Sequence, residues 1–282
     1  MSNKIDFKDT AFIIPFQASN FNRVQSLSIV LYYLLNNFDT NIYLKEIGGK
    51  EYIDKIIPFF DSINLDYSSI KYFNDLNRCQ SFPKTKILND LLVEVEEKYV
   101  VMNDADCILP LMSYVKAKNK LANGLDFVIP FSDDRNCYWE LNSEYFFQTT
   151  DNLFQIFSEL NKFKFKNELK RPGPPGGINF LRYESYINGY MENENFAGYG
   201  PEDAEKVIRF KRLGFKVDRI HGLLFHLAHE IKNDDKYRYI NVGNNEYLMN
   251  KILSFNDKEL IEYYQNQNYF SERKKILKGK II

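Results

Sequence analysis

The sequence predicts an α/β fold with a mostly parallel central sheet flanked by helices. Three observations predict it. Short apolar runs alternate with helical-period segments in a βαβ rhythm through the first half of the chain. One of those runs, Tyr99–Met102, is β-branched and apolar and stops at a polar turn, as buried parallel strands do. The 282 residues suffice for a real core, with 44% hydrophobic and 27% charged residues, as in soluble globular proteins.

Taken in order, Ala11–Phe16 reads as the first buried strand. Val24, Leu27, Leu31, Leu34 and Leu35 then follow helical spacing. Asn41–Ile47 and Ser69–Phe73 read as the second and third strands. Ile87, Leu88, Leu91, Leu92 and Val95 mark one face of a helix that leads into Tyr99–Met102. A helix carrying Leu111, Val115 and Leu121 precedes a further strand at Asp126–Phe131. The region Ser132–Arg171 is less regular, with one helix suggested by Leu153, Phe154, Phe157 and Leu160. Arg171–Gly177 (RPGPPGG) is the densest Pro/Gly cluster and must be a loop, either a domain linker or a mobile loop at a site. Val207, Ile208 and Leu213 read as one face of a helix, and beyond Glu230 the pattern is mainly helical and polar.

Composition excludes some classes. Lys plus Arg is 37 against 38 for Asp plus Glu, a net charge of -1, which argues against a nucleic-acid partner. Three cysteines without a CxxC argue against a disulfide framework or a cysteine zinc site. The apolar run at the N-terminus is too short for a signal-peptide core, and no stretch approaches the ~20 apolar residues of a membrane helix. A reducing, cytoplasmic compartment is the expectation. The basic tail Ser271–Ile282 reads as solvated, with peripheral contact at the inner face of a membrane as the second reading. Aromatic residues, 16% of the chain, are expected mainly in the core.

Three motifs carry chemistry. Asp104-Ala-Asp106 follows the strand Tyr99–Met102, and ligands of open α/β sheets collect outside the carboxyl ends of strands. Two carboxylates one residue apart can share a hard divalent cation, although such a pair also occurs as an ordinary turn. All three histidines, His221, His226 and His229, fall within nine residues. His226 and His229 converge on one metal only if the backbone turns; in an extended strand they point to opposite faces, as ordinary hydrogen-bonded histidines would. Glu202-Asp203 opens a helix after Gly198-Tyr-Gly-Pro201. It reads either as a favourable helix terminus or as a carboxylate pair, one member binding a hydroxyl and the other taking its proton.

The stretch Gly176–Tyr190 (GGINFLRYESYINGY), then Phe196–Asp203 (FAGYGPED) and Arg209–Gly214, resembles the C-terminal part of the β-1,4-galactosyltransferase-like glycosyltransferases. Related segments occur in bacterial chondroitin-type polymerases and polypeptide N-acetylgalactosaminyltransferases. With Asp104-Ala-Asp106 the resemblance spans roughly Ile13 to Glu230. It implies a GT-A type nucleotide-diphospho-sugar transferase fold. Residues 1–230 would form the catalytic domain, 1–131 its nucleotide-binding half and 132–230 its acceptor and metal half, with 231–282 a helical extension.

Residue by residue, the resemblance implies that Asp104 and Asp106 meet the metal, Mn²⁺ or Mg²⁺, and the nucleotide-sugar phosphates. His229 matches the family's metal-binding histidine, and His226 falls where some members place a second ligand. Glu202 and Asp203 match the acidic pair at the acceptor, with Asp203 as general base. Tyr199 stands where the family has Trp, and with Gly200 would line the acceptor; Pro201 replaces a common Gly. Phe82-Pro-Lys84 resembles the nucleotide-contacting F-N-R segment, and Lys for Arg loses bidentate geometry. Arg23, after Ile14-Pro-Phe16, and Gly177 would complete the nucleotide-sugar side.

The resemblance therefore implies a metal-dependent, inverting transfer of a hexose or N-acetylhexosamine from a UDP-sugar to a glycan hydroxyl, with a growing surface polysaccharide as the expected acceptor. Two other readings are a metal-dependent nucleotidyltransferase and an inactive carbohydrate-binding relative. The first leaves Glu202-Asp203 and the histidines without a role and expects a glycine-rich loop where Gln17–Gln25 has no glycine. The second leaves both carboxylate motifs without one.

Overall fold

The computed structural model describes residues 4–134, 137–142, 175–228 and 240–277. Among these, seven strands form one sheet in the order β3-β2-β1-β4-β8-β6-β9. They are β1 Ile5–Phe16, β2 Phe38–Ile47, β3 Ile70–Asp75, β4 Tyr99–Asn103, β6 Phe127–Ile129, β8 Ile178–Arg182 and β9 Val217–Arg219. The expected rhythm holds from β1 to β4: β1 pairs in parallel with β2 and β4, and β2 with β3. The exception is β8, which runs antiparallel between β4 and β6. Its residues INFLR follow Gly176-Gly177, and their 5-residue length carries little periodicity of its own.

A second, three-stranded sheet has β5 Cys107–Ile108, β10 Leu224–Ala228 and β7 Tyr138–Asn142, in the order β5-β10-β7. Its pairing of Cys107 with His226 is antiparallel. This ladder ties the segment immediately after β4 to a strand more than a hundred residues later.

Helix α1, Phe21–Asn37, starts where the Asn20 side chain accepts a hydrogen bond from the Arg23 N–H, a cap for an otherwise orphaned donor. Val24, Leu27, Leu31, Leu34 and Leu35 are all buried, as their spacing predicted. Each such burial contributes about 1.5–3 kcal/mol. A π-helical turn at Tyr52–Ile56 leads into α2, Ile57–Ser62. Helix α3, Lys84–Glu94, and α4, Leu111–Ala122, bury the aliphatic faces read from their sequences, apart from the partly buried Leu111 and Val115. The aromatic content sits mostly in the core: Phe7, Phe12, Phe38 and Tyr114 form one cluster, with the Phe7 and Phe38 rings 4.5 Å apart. The helix expected near Leu153–Leu160 and most of the Pro/Gly loop lie outside the described residues.

Beyond β8 come α5 Tyr183–Asn188 and α6 Glu202–Arg212. Tyr190 and Met191, between them, both have left-handed backbone, φ 69° and 58°, which is strained for residues with a Cβ. Arg209 holds this turn in place. Its buried guanidinium donates to the carbonyls of Gly189 and Met191 and to the Glu205 carboxylate.

Three further helices, α7 Val242–Ser254, α8 Asp257–Gln265 and α9 Asn268–Leu277, follow. A capping box of Asn256 and Glu259 starts α8. Ile252, Leu260 and Tyr264 pack with Phe196 in a small second core. Arg273 corrects the reading of the tail as solvated. It is only 8% exposed and reaches the carboxylates of Asp90 on α3, at 2.5 Å, and Glu194. Lys274 and Lys275 are exposed, and residues 278–282 are outside the described set. Among the described residues no helix is long and apolar enough to cross a membrane.

Replacing Arg209 with Met leaves the buried Glu205 carboxylate with the Tyr264 hydroxyl but without its cation, and frees the strained turn. Urea denaturation should show a loss of about 3–5 kcal/mol, the usual result of breaking a buried pair from one side. An unchanged midpoint would remove Arg209 from this structural role.

Candidate active site

The site forms at the carboxyl ends of β1 and β4. Asp104 and Asp106 lie in the turn after β4, which Asn103 shapes by donating from Nδ2 to the carbonyls of Asp104 and Cys107. The Asp104 N–H donates to the Gly177 carbonyl at 2.8 Å, so the expected Gly177 closes this turn from the side of β8. Arg23, in the first turn of α1, donates from Nη1 to Asp106 Oδ2 at 2.7 Å. Asp106 is 6% exposed, so this pair is largely desolvated.

The small sheet delivers His226. Its Nε2 is 3.6 Å from Asp106 Oδ2 and its Nδ1 3.7 Å from Glu140 Oε1, while the ring stacks on Tyr138 at 5.5 Å. Burial alone would lower its pKa, but Asp106 and Glu140 outweigh burial and raise it to about 9. The matching His229 lies outside the described residues. Asp104, Asp106 and Cys107 bring three potential ligand atoms within 4.8 Å of one another. Cys107 is a poor ligand, since burial and the Asp106 charge push its thiol well above the usual range. Two hard carboxylates with an imidazole beside them suit Mn²⁺ or Mg²⁺.

The second carboxylate pair meets the first through one lysine. Lys84 opens α3, and its Nζ lies 2.9 Å from Asp104 Oδ1 and 3.4 Å from Asp203 Oδ2. A cation at a helix N-terminus is unfavourable by itself, and the carboxylates around it reverse the balance. Burial lowers the Lys84 pKa, but Asp104, Asp203 and Glu202 raise it well above the ordinary value. On its other side Asp203 accepts from the buried Lys206 at 3.2 Å, and Lys206 donates to Glu192 at 2.9 Å. Glu192 also accepts from the Tyr186 hydroxyl at 2.8 Å. A side chain at Gly176 would put its Cβ 2.2 Å from Asp203 Oδ2, so only glycine lets the backbone pass the carboxylate here.

The four carboxylates differ in charge state. Burial raises Asp104, and Asp106 and Asp203 add to the shift against the pull of Lys84. Burial also pushes Asp203 up, but Lys84 and Lys206 win and hold it at about 2. Glu202 rises to about 8 through burial and the Asp203 charge. At neutral pH Asp203 is therefore an acceptor and Glu202 a proton-bearing donor.

Of the other expected residues, Phe82 is partly buried against the main core and its carbonyl accepts from the Lys84 N–H at 3.0 Å. Tyr199 is 51% exposed on the loop before α6, and Gly200 packs against Asn245. The structure thus brings Arg23, Lys84, Asp104, Asp106, Gly177, Asp203 and His226 into one connected group, with Glu202 beside Asp203. Sequence reasoning missed Lys206, Glu192, Glu140 and Asn245. Lys206 could have been suspected, since it lies three residues after Asp203 on one helix face.

No protein-family model matches the chain, and no curated protein matches its sequence. Solved structures do match its fold. A mannosyltransferase from Pyrobaculum calidifontis, in complex with GDP-Man and Mn²⁺, aligns with a TM-score of 0.55 at 12% identity, over 96% of this chain and 74% of that one. S. aureus TarS 1–349 aligns with a TM-score of 0.51 at 12% identity, over 94% of this chain and 71% of that one. The Drosophila β1,4-galactosyltransferase 7 catalytic domain, in complex with xylobiose, gives 0.44 at 13% identity, over 80% and 77%. The chain has the GT-A fold of nucleotide-sugar transferases.

The charge states predict a pH effect in the metal-free protein. Between about 4.3, the ordinary Glu value, and about 8 the unfolded chain has lost a proton that folded Glu202 keeps. The folded state binds more protons there, so stability falls as pH rises through that window. Glu202→Gln should shrink the fall in urea midpoint between pH 5 and pH 8. An identical fall in both proteins would overturn the assignment.

Proposed function

We propose that this chain is a metal-dependent, inverting glycosyltransferase that moves a hexose or N-acetylhexosamine from a UDP-sugar to a hydroxyl of a glycan. One observation carries the reading: Lys84 joins Asp104, of the first carboxylate motif, to Asp203, of the second. A donor end and an acceptor end one ammonium apart are what a direct sugar transfer needs. In this reading residues 1–131 bind the nucleotide, 132–230 supply the acceptor and metal side, and 231–282 form a helical extension.

Asp104 and Asp106 would hold the cation, Mn²⁺ or Mg²⁺, with His226 beside them and His229 as a further ligand. When bound, the cation supplies positive charge to the leaving diphosphate. Arg23 and Lys84 add charge on the same side, and Phe82 and Gly177 line the nucleotide-sugar side. The mannosyltransferase of the same fold binds GDP-Man and Mn²⁺, which supports a nucleotide-sugar donor and this metal; uridine is taken from the sequence resemblance.

On the acceptor side, Tyr199 and Gly200 contact the glycan, and Glu202 donates a hydrogen bond to an acceptor oxygen. Asp203 takes the proton of the attacking hydroxyl. The acceptor oxygen bonds to the anomeric carbon from the face opposite the diphosphate, whose C–O bond breaks and carries off the electron pair. Asp203 is a weak base while both lysines hold it. A diphosphate near Asp104 competes for Lys84, and Asp203 gains proton affinity as that ammonium turns toward the donor.

Incubation with Mn²⁺ and UDP-sugars, with GDP-mannose alongside, tests the reading. Release of the nucleoside diphosphate supports transfer, pyrophosphate indicates a nucleotidyltransferase, and silence indicates a binding protein. Asp203→Asn should lower turnover by about 10²–10⁴-fold with nucleotide binding intact. Near-normal transfer would remove Asp203 from the base role. Asp106→Ala should abolish Mn²⁺-dependent UDP binding in calorimetry, and retained binding would move the cation elsewhere.

A further inference from the structure

We infer that Asn245, on the C-terminal helix α7, is a positioning residue that fixes the loop presenting Tyr199 to the acceptor. The inference rests on the proposed function, because it takes that loop to be the acceptor wall.

The geometry is a side-chain amide used as a backbone clamp. Asn245 is 2% exposed. Its Oδ1 accepts from the Ala197 N–H at 3.2 Å. Its Nδ2 donates to the Ala197 carbonyl at 2.9 Å and to the Tyr199 carbonyl at 3.0 Å. Three bonds from one buried side chain stand in for the backbone partners that this loop, outside any strand or helix, lacks. The fit is close: a Cβ at Gly200 would lie 2.6 Å from Asn245 Nδ2. Its own backbone fixes Asn245, since its N–H donates to the Asn241 carbonyl at 2.8 Å in the first turn of α7.

The clamp acts on the backbone of Tyr199. Its carbonyl is held inward, yet the residue is 51% exposed, on the loop that runs directly into Glu202 and Asp203. An exposed aromatic residue on the segment that leads into a carboxylate pair suits the apolar face of a pyranose. The proposed donor groups, Arg23, Phe82, Lys84, Asp104 and Gly177, are not among these residues. Asn245 should therefore act on acceptor recognition and leave the donor side alone.

Hydrogen exchange and kinetics test this on the full chain, with Asn245→Ala and Asn245→Asp. Asn245→Asp keeps an oxygen for the Ala197 N–H but has no N–H for the two carbonyls, so it should not rescue. Exchange in the segment 197–200 should accelerate about tenfold or more, while β4 stays as protected as before. With Mn²⁺, UDP-sugar donors and p-nitrophenyl hexosides or N-acetylhexosaminides as acceptor probes, the acceptor KM should rise about five- to tenfold and the donor KM stay within about twofold. Unchanged exchange in 197–200, faster exchange throughout the chain, or equal rises in both KM values would overturn the inference. If the unmodified protein releases no nucleoside diphosphate with any donor, the proposed function and the acceptor role fall together. The exchange result then still decides whether Asn245 clamps the loop.

Discussion

Like charge is the constraint around which this molecule is arranged. Asp104, Glu202 and Asp203 gather around Lys84 with Asp106 next to Asp104, and four ionised carboxylates so placed would repel one another in a poorly hydrated cleft. Each receives its own compensation. Arg23 reaches Asp106, Lys84 joins Asp104 to Asp203, and Lys206 approaches Asp203 from the core. Glu202, with burial and its neighbour's charge against it, keeps a proton. The fold supplies these cations from distant parts of the chain: α1 carries Arg23, α3 carries Lys84 and α6 carries Lys206. The strand order serves electrostatics as much as core packing.

Most of the parallel half of the fold was legible in the sequence. Strands β1 to β4 and their helices are long enough for their apolar periods to show, as with Val24 to Leu35 on α1. The antiparallel β8 was not legible as a strand. It is short, buried on both sides and led by glycines, so it lacks alternation. The carboxylate motifs were visible because each is local: two acids in one turn, and two at one helix start. The contacts that complete them are not local. Lys84 and Asp203 are 119 residues apart, and only the folded topology makes them neighbours. Glu140 and His226 meet through strand pairing that a single sequence does not announce.

The tail shows how a correct local reading can mislead. Five basic residues in a short segment read as a solvated face, and Lys274 and Lys275 are indeed exposed. Arg273 behaves differently because the helical period turns it toward Asp90 and Glu194. Composition reports the charge of a segment and not which of its members is held inside.

That inward arginine also sets an order of events during synthesis. Asp90 lies on the helix that begins with Lys84, so the acid awaiting Arg273 and the lysine that ties the two carboxylate motifs share one rigid element. A ribosome delivers Asp90 long before Arg273. In the interval Asp90 has Lys45, at 2.7 Å, but not yet Arg273, and Glu194 waits for the same arginine. The nascent chain can assemble its parallel strands early, but α3 gains its contacts with α9 only once that helix has emerged and docked.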